Sequence, residues 1–125
     1  MQKSYLIGTI GVSCLYSQGL RRILDRRVFS IGENVDGIDE AAGFQPSGEP
    51  PAALLINAAR RSLPNPTAVA RLRERFPGTR LVLIEEACDE ERIQQAVDAD
   101  LDGYILETID PQAFPKALEL ILMGE

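Results

Sequence analysis

Three carboxylates follow short apolar runs of the chain and are the first candidates for chemistry. Glu85 and Glu86 come directly after the run Leu81–Ile84, and Glu107 comes directly after Tyr104–Leu106. Two carboxylates held close together acquire different pKa values and can serve as a general acid and a general base. However, the chain has no His, so the Ser-His-Asp and Cys-His arrangements cannot be built. We therefore do not expect an enzyme.

The carboxylates have a simpler role as neighbours of two arginines. Arg60 and Arg61 follow Asn57 on the loop after the third predicted strand. Long side chains on a loop reach water easily, so we expect Glu85 and Glu107 to be solvated rim residues, weakly paired with these arginines. A buried Arg–Glu lock is the alternative.

A second acidic group imitates part of a calcium site. Asp98, Asp100 and Asp102 precede Gly103 as in the first half of a calcium-binding loop. The twelfth position of such a loop needs a bidentate Glu, and Ile109 occupies it here. We expect no metal at this segment.

Two cysteines, Cys14 and Cys88, are too few for a disulfide framework and have no CxxC spacing, which favours a cytoplasmic protein. We expect buried, unbridged thiols, the default for isolated cysteines.

Composition and charge exclude further classes. The 125 residues carry a formal net charge of −6, and no basic run is long enough to follow a phosphate backbone, so this chain is not expected to bind DNA directly. No stretch approaches the roughly 20 apolar residues of a membrane helix. The length and the 45% hydrophobic content fit one folded domain over residues 1–125.

Short apolar runs alternate with helical patterns along the chain. Several runs are apolar on both faces, which is typical of parallel strands covered by helices on each side. The pattern predicts an α/β fold with a doubly wound, five-stranded parallel sheet. The predicted strands are Tyr5–Ile10, Val28–Ile31, Ala52–Ile56, Leu81–Ile84 and Tyr104–Leu106.

Two of the predicted helices contain residues that oppose a regular helix. The stretch from Ile38 to Pro51 is rich in Gly and Pro, so we expect one short turn of helix followed by a loop. The last helix is expected to be capped by Asp110 and to start at Pro111, although Pro115 fits only if the helix begins later.

The order of several segments resembles the receiver domain of two-component response regulators. Gln18 to Leu24 is similar to the family's first helix, and Leu72 to Gly78 is similar to the end of its third. Asp102 to Leu106 resembles the fifth strand, and Pro111 to Glu125 resembles the final helix and the start of a linker. The resemblance is to CheY-like domains of the LuxR-type (NarL/FixJ) branch. It implies a flavodoxin-like sheet in the order 2-1-3-4-5.

The resemblance also implies a set of chemical positions, and this chain departs from all of them. The acidic pair that would hold magnesium falls on Gly11 and Val12, and the phosphoacceptor falls on Asn57. The switch hydroxyl falls on Glu85 and the pocket lysine on Glu107. We therefore predict a degenerate pseudo-receiver without phosphorylation, magnesium or any other cofactor.

The expected function is regulation through protein contact. The resemblance places Tyr104 at the aromatic that rotates on activation, and it implies homodimerisation, for which Phe114, Leu118 and Leu122 of the last helix are the candidate surface. We expect the amino-terminal part of a LuxR-type transcription factor, with a helix-turn-helix domain outside this chain as the only DNA-binding part. A stand-alone interaction protein and a small-molecule sensor that uses the emptied pocket are the alternatives.

Overall fold

The computed structural model of the protein describes residues 4–37, 50–59 and 63–124. Its strands form one sheet in the order β2-β1-β3-β4-β5, and all neighbouring strands are parallel. The predicted flavodoxin-like architecture is confirmed. The strands are β1 (Tyr5–Ile10), β2 (Phe29–Val35), β3 (Ala53–Asn57), β4 (Arg80–Glu85) and β5 (Gly103–Leu106).

Within the described residues, three helices lie between strands and a fourth follows β5. They are α1 (Cys14–Ile23), α2 (Pro66–Arg75), α3 (Glu90–Asp98) and α4 (Phe114–Leu122). Short polar side chains begin the first three. Ser13 accepts from the N–H of Tyr16, Asn65 from that of Thr67, and Asp89 from those of Glu91 and Arg92. Such caps satisfy donors that have no partner inside the helix. No helix in this part of the chain has the length and apolar character to cross a bilayer.

The last helix begins later than Pro111. The N–H groups of Ala113 and Phe114 bond to the carbonyl of Asp110, so this residue closes a turn and the helix starts at Phe114. Pro115 then lies in the first turn, where a missing N–H costs nothing. The short helix predicted after Ile38 falls mainly on residues 38–49, which lie outside the described residues.

The sheet carries an apolar layer on each face, because its central strands are buried on both sides. β4 has five consecutive buried residues. On one face, Leu20 and Leu24 at α1 pack with Phe114 and Leu118 of α4. On the other face, α2 and α3 contribute a second cluster that includes Leu72. The helices therefore cover both faces, as the two-sided apolar runs predict.

The structure corrects the candidate dimer surface on the last helix. Phe114 and Leu118 are 3% and 0% exposed, so they belong to the core and are not available for a dimer surface, and Leu122 packs partly against the same cluster. In α3, Val97 is among the exposed large hydrophobic residues. Helical spacing alone leaves the direction of the core uncertain by about one residue position.

A carboxylate fastens the amino end of the sheet. Asp102 Oδ2 accepts from Arg73 Nη2 at 2.6 Å and from the N–H of Leu81 at 2.8 Å. Arg73 also donates to the carbonyl of Thr79 at 3.2 Å. The third residue of the calcium-like run is thus engaged in a link between α2, β4 and β5.

Candidate functional site

The five chemical positions predicted from the sequence all lie at the carboxyl edge of the sheet. Gly11 and Val12 follow β1, Asn57 ends β3, Glu85 ends β4, and Glu107 follows β5. The N–H of Glu107 donates to the carbonyl of Glu85 at 2.7 Å. Strands that run parallel end at the same edge, so residues up to 96 positions apart in the chain share this region.

The side chain of Asn57 is held by the protein itself. Its Nδ2 donates to the carbonyl oxygen of Gly11 at 2.9 Å, and its Oδ1 accepts from the N–H of Ala59 at 3.1 Å. Gly11 adopts a φ of 71°, a conformation that glycine reaches at little cost. The amide thus ties the end of β3 to the loop after β1.

A second amide fastens the other side of the same loop. Asn34, near the end of β2, donates through Nδ2 to the carbonyl of Val12 at 3.1 Å. Its Oδ1 accepts from the hydroxyl of Thr9 at 2.9 Å and from the N–H of Val12 at 3.3 Å. Sequence reasoning missed Asn34 because it ended the second strand at Ile31. The signal that could have identified it is a polar residue near the carboxyl end of a strand.

Glu85 is a buried residue and not part of a solvated rim, which corrects the sequence-based expectation. Its side chain is 3% exposed, and Oε2 lies 2.7 Å from Nε of Arg92. Nη2 of Arg92 donates in addition to the carbonyl of Ala58 at 3.1 Å. The hydrogen bond to Glu85 raises the pKa of the Arg92 guanidinium. Arg60 and Arg61, the expected partners, lie outside the described residues.

Two tyrosines border this edge. The hydroxyl of Tyr104 donates to the carbonyl of Ala87 at 2.8 Å, and burial, followed by the charge of Glu85, raises its pKa. Burial and then the charge of Glu107 raise the pKa of Tyr16 to about 12. Both phenols are therefore neutral at physiological pH.

The carboxylates at this edge do not share one environment. Glu85 is buried and paired with Arg92, whereas Glu86 is exposed. An acid–base pair needs two carboxylates that perturb each other, and the pairing with Arg92 gives Glu85 a different role.

Both cysteines, Cys14 and Cys88, are free and exposed, so the expectation of buried thiols is wrong. Cys14 is the first residue of α1, and Cys88 precedes the residue that caps α3.

The fold is that of response regulator receiver domains. A LuxR-family two-component response regulator from Aurantimonas sp. SI85-9A1 is 20% identical over 98% of this chain and 88% of that chain, with a TM-score of 0.78. A response regulator from Thermotoga maritima is 17% identical over 97% of this chain and 99% of that chain, with a TM-score of 0.80.

A LuxR-family DNA-binding response regulator from Silicibacter pomeroyi is similar to the same extent. It is 24% identical over 97% of this chain and 93% of that chain, with a TM-score of 0.77. No protein-family model matches the sequence, and no curated protein matches it. At these identities the likeness establishes the fold, and the chemistry has to be judged from the residues present.

The residues at this edge do not fit the magnesium ion that the receiver family implies. Mg²⁺ is bound through carboxylates and other oxygen ligands in nearly ideal octahedral geometry. Gly11 and Val12 have no side-chain oxygen, and each backbone carbonyl already accepts a hydrogen bond from an amide side chain. In the described ranges, no group of three or more His, Cys, Asp or Glu is placed to hold a metal ion.

Proposed function

We propose that this protein is a receiver-like signalling module that acts by protein contact without being phosphorylated. The hydrogen bond from Asn57 Nδ2 to the carbonyl of Gly11 at 2.9 Å carries the proposal. It joins the position of the phosphoacceptor directly to the position of the metal ligands. An amide nitrogen with no lone pair available for attack is not a phosphoryl acceptor, and here it is also engaged as a donor.

The electrostatics of the edge support the same function. A phosphoryl group is stabilised by cations such as a lysine or a metal ion. Glu107 stands at the lysine position, and Glu85 places a second carboxylate on the adjacent strand. The cation that lies nearby, Arg92, is neutralised by Glu85. An incoming phosphoryl group would therefore meet negative charge without a free counter-charge from these residues.

A phosphorylation assay tests the proposal. We expect incubation with acetyl phosphate and magnesium to leave the intact mass unchanged. Beryllofluoride with magnesium should leave the amide spectrum unchanged. A receiver domain with a phosphoacceptor Asp, treated in parallel, provides the positive control. A stoichiometric adduct on any Asp of this chain would overturn the proposal.

We further propose that the module regulates a LuxR-type transcription factor in the cytoplasm, with DNA bound only by an appended domain. The likeness to two LuxR-family regulators supports this context. The native reading frame tests it: a helix-turn-helix coding sequence after Glu125 is expected, whereas a stop codon would favour the stand-alone interaction protein.

We also propose that the module forms a homodimer through its last helix. Since Phe114 and Leu118 belong to the core, the apolar residues that α4 and its end offer to a partner are Leu120 and Met123, which are 51% and 66% exposed. Sedimentation at high micromolar concentration should reveal a dimer that Leu120→Glu weakens. A purely monomeric wild-type protein under these conditions would refute the proposal.

A further inference from the structure

Arg92 links three separate elements of the structure through one guanidinium. It lies in the first turn of α3. Its Nε bonds to Glu85 at the end of β4 at 2.7 Å, and its Nη2 bonds at 3.1 Å to the carbonyl of Ala58, the residue after β3. The planar guanidinium holds its donors in fixed directions, so the two bonds together restrict where α3 can sit.

The burial of Glu85 makes this restriction strong. Its side chain is 3% exposed, whereas that of Arg92 is 29% exposed. A buried carboxylate without a counter-charge is strongly unfavourable. If α3 moved away from the sheet edge, Glu85 would lose its counter-charge. The docked position of the helix is the one in which this charge is paired.

Hydrogen bonds hold the loop between β4 and α3 at its start, its middle and its end. Glu85 starts the loop, and Tyr104 of β5 holds its middle by donating to the carbonyl of Ala87 at 2.8 Å. Asp89 ends the loop by accepting from the N–H groups of Glu91 and Arg92 at 2.9 and 3.3 Å. Arg92 then returns to Glu85.

We infer that Arg92 is a positioning residue that fixes α3 in one docked position, so that the protein's own Glu85 carboxylate, and not a bound phosphoryl group, sets the position of this helix and of the loop before it. This inference rests on the proposed absence of phosphorylation. It differs from a purely stabilising role because it assigns the order of one specific segment, residues 86–98, to one ion pair.

Hydrogen–deuterium exchange of the whole 125-residue chain tests the inference. In Arg92→Gln, we expect amides of residues 86–98 to exchange at least about tenfold faster after correction for global unfolding, because one charge-assisted pair is lost. Amides of β1 and α2 should be unchanged. Arg22→Gln, the same substitution at an exposed position of α1, is the matched control and should leave residues 86–98 unchanged.

A second variant keeps the test decisive if Arg92→Gln does not fold. The double variant Glu85→Gln with Arg92→Gln buries no unpaired charge and should fold, yet residues 86–98 should still exchange faster than in the wild type. Wild-type exchange of this segment in the variant that folds would overturn the inference. If that result comes without a phospho-adduct on the wild-type chain, the proposed function stands. An adduct would overturn both.

Discussion

Replacing Asn57 with Asp would introduce the acceptor residue that the resemblance to receiver domains implies at this position, and we expect it to destabilise this protein. Nδ2 of Asn57 donates to the carbonyl of Gly11 at 2.9 Å. A carboxylate cannot donate, so the carbonyl loses its partner and faces a negative charge. The loss of one hydrogen bond and the desolvation penalty of the orphaned acceptor together amount to about 1–3 kcal/mol.

The pH dependence of this loss follows from the same contact. Because the carbonyl of Gly11 disfavours the charged form, the pKa of the introduced carboxyl should be higher in the folded than in the unfolded protein, where it is about 3.9. The free energy of unfolding of the variant should therefore be closest to that of the wild type below the unfolded-state pKa. It should lose stability as pH rises through the folded-state value.

Urea unfolding at several pH values measures the effect. Asn65→Asp is the matched control, because Asn65 uses its Oδ1 to accept from the N–H of Thr67 at 2.8 Å. A carboxylate accepts equally well and is favoured at the start of α2, so we expect a change within about 0.5 kcal/mol. Equal stability of Asn57→Asp and wild type at pH 7 would refute the assigned role of the amide nitrogen, as would equal losses in the two variants.

Three further outcomes are expected. Burial raises the pKa of Tyr16 to about 12. The contribution of its neutral phenol to the stability of the folded protein is therefore complete below about pH 10 and is lost as pH rises towards 12. Between about pH 10 and 12, the free energy of unfolding of the wild type should fall by about 1–2 kcal/mol more than that of Tyr16→Phe, after allowance for the partial exposure of the tyrosine. An equal pH dependence of the two proteins would contradict this. Cys14 and Cys88 are exposed, and a thiol-reactive dye should modify two thiols per native chain, whereas fewer than two would refute the exposure. In Gly103→Ala, the new Cβ would lie 2.5 Å from Cδ1 of Ile121, and urea unfolding should show a loss of about 1 kcal/mol; no loss would mean that the side chain moves freely.

The sequence determined the order and type of the described elements through local patterns. Leu81–Ile84 is apolar on both faces, which is typical of a covered parallel strand, and β4 includes that run. Asn65 followed by Pro66 is a local signal for the start of a helix, and α2 begins there. These signals depend on neighbouring residues and on the periods of strand and helix, so they can be seen without a fold.

Tertiary structure decided which residues meet at the carboxyl edge. Nothing in the spacing of Arg92 and Glu85 indicated that they form the buried pair, and Asn34 was not recognised as a residue of the edge. Such contacts depend on how α3 and β2 pack against the sheet. Whether a carboxylate is buried or solvated depends on that packing as well. The sequence predicted which residues follow the strands at this edge, and the fold determined that internal hydrogen bonds hold Asn57 and that an ion pair holds Glu85.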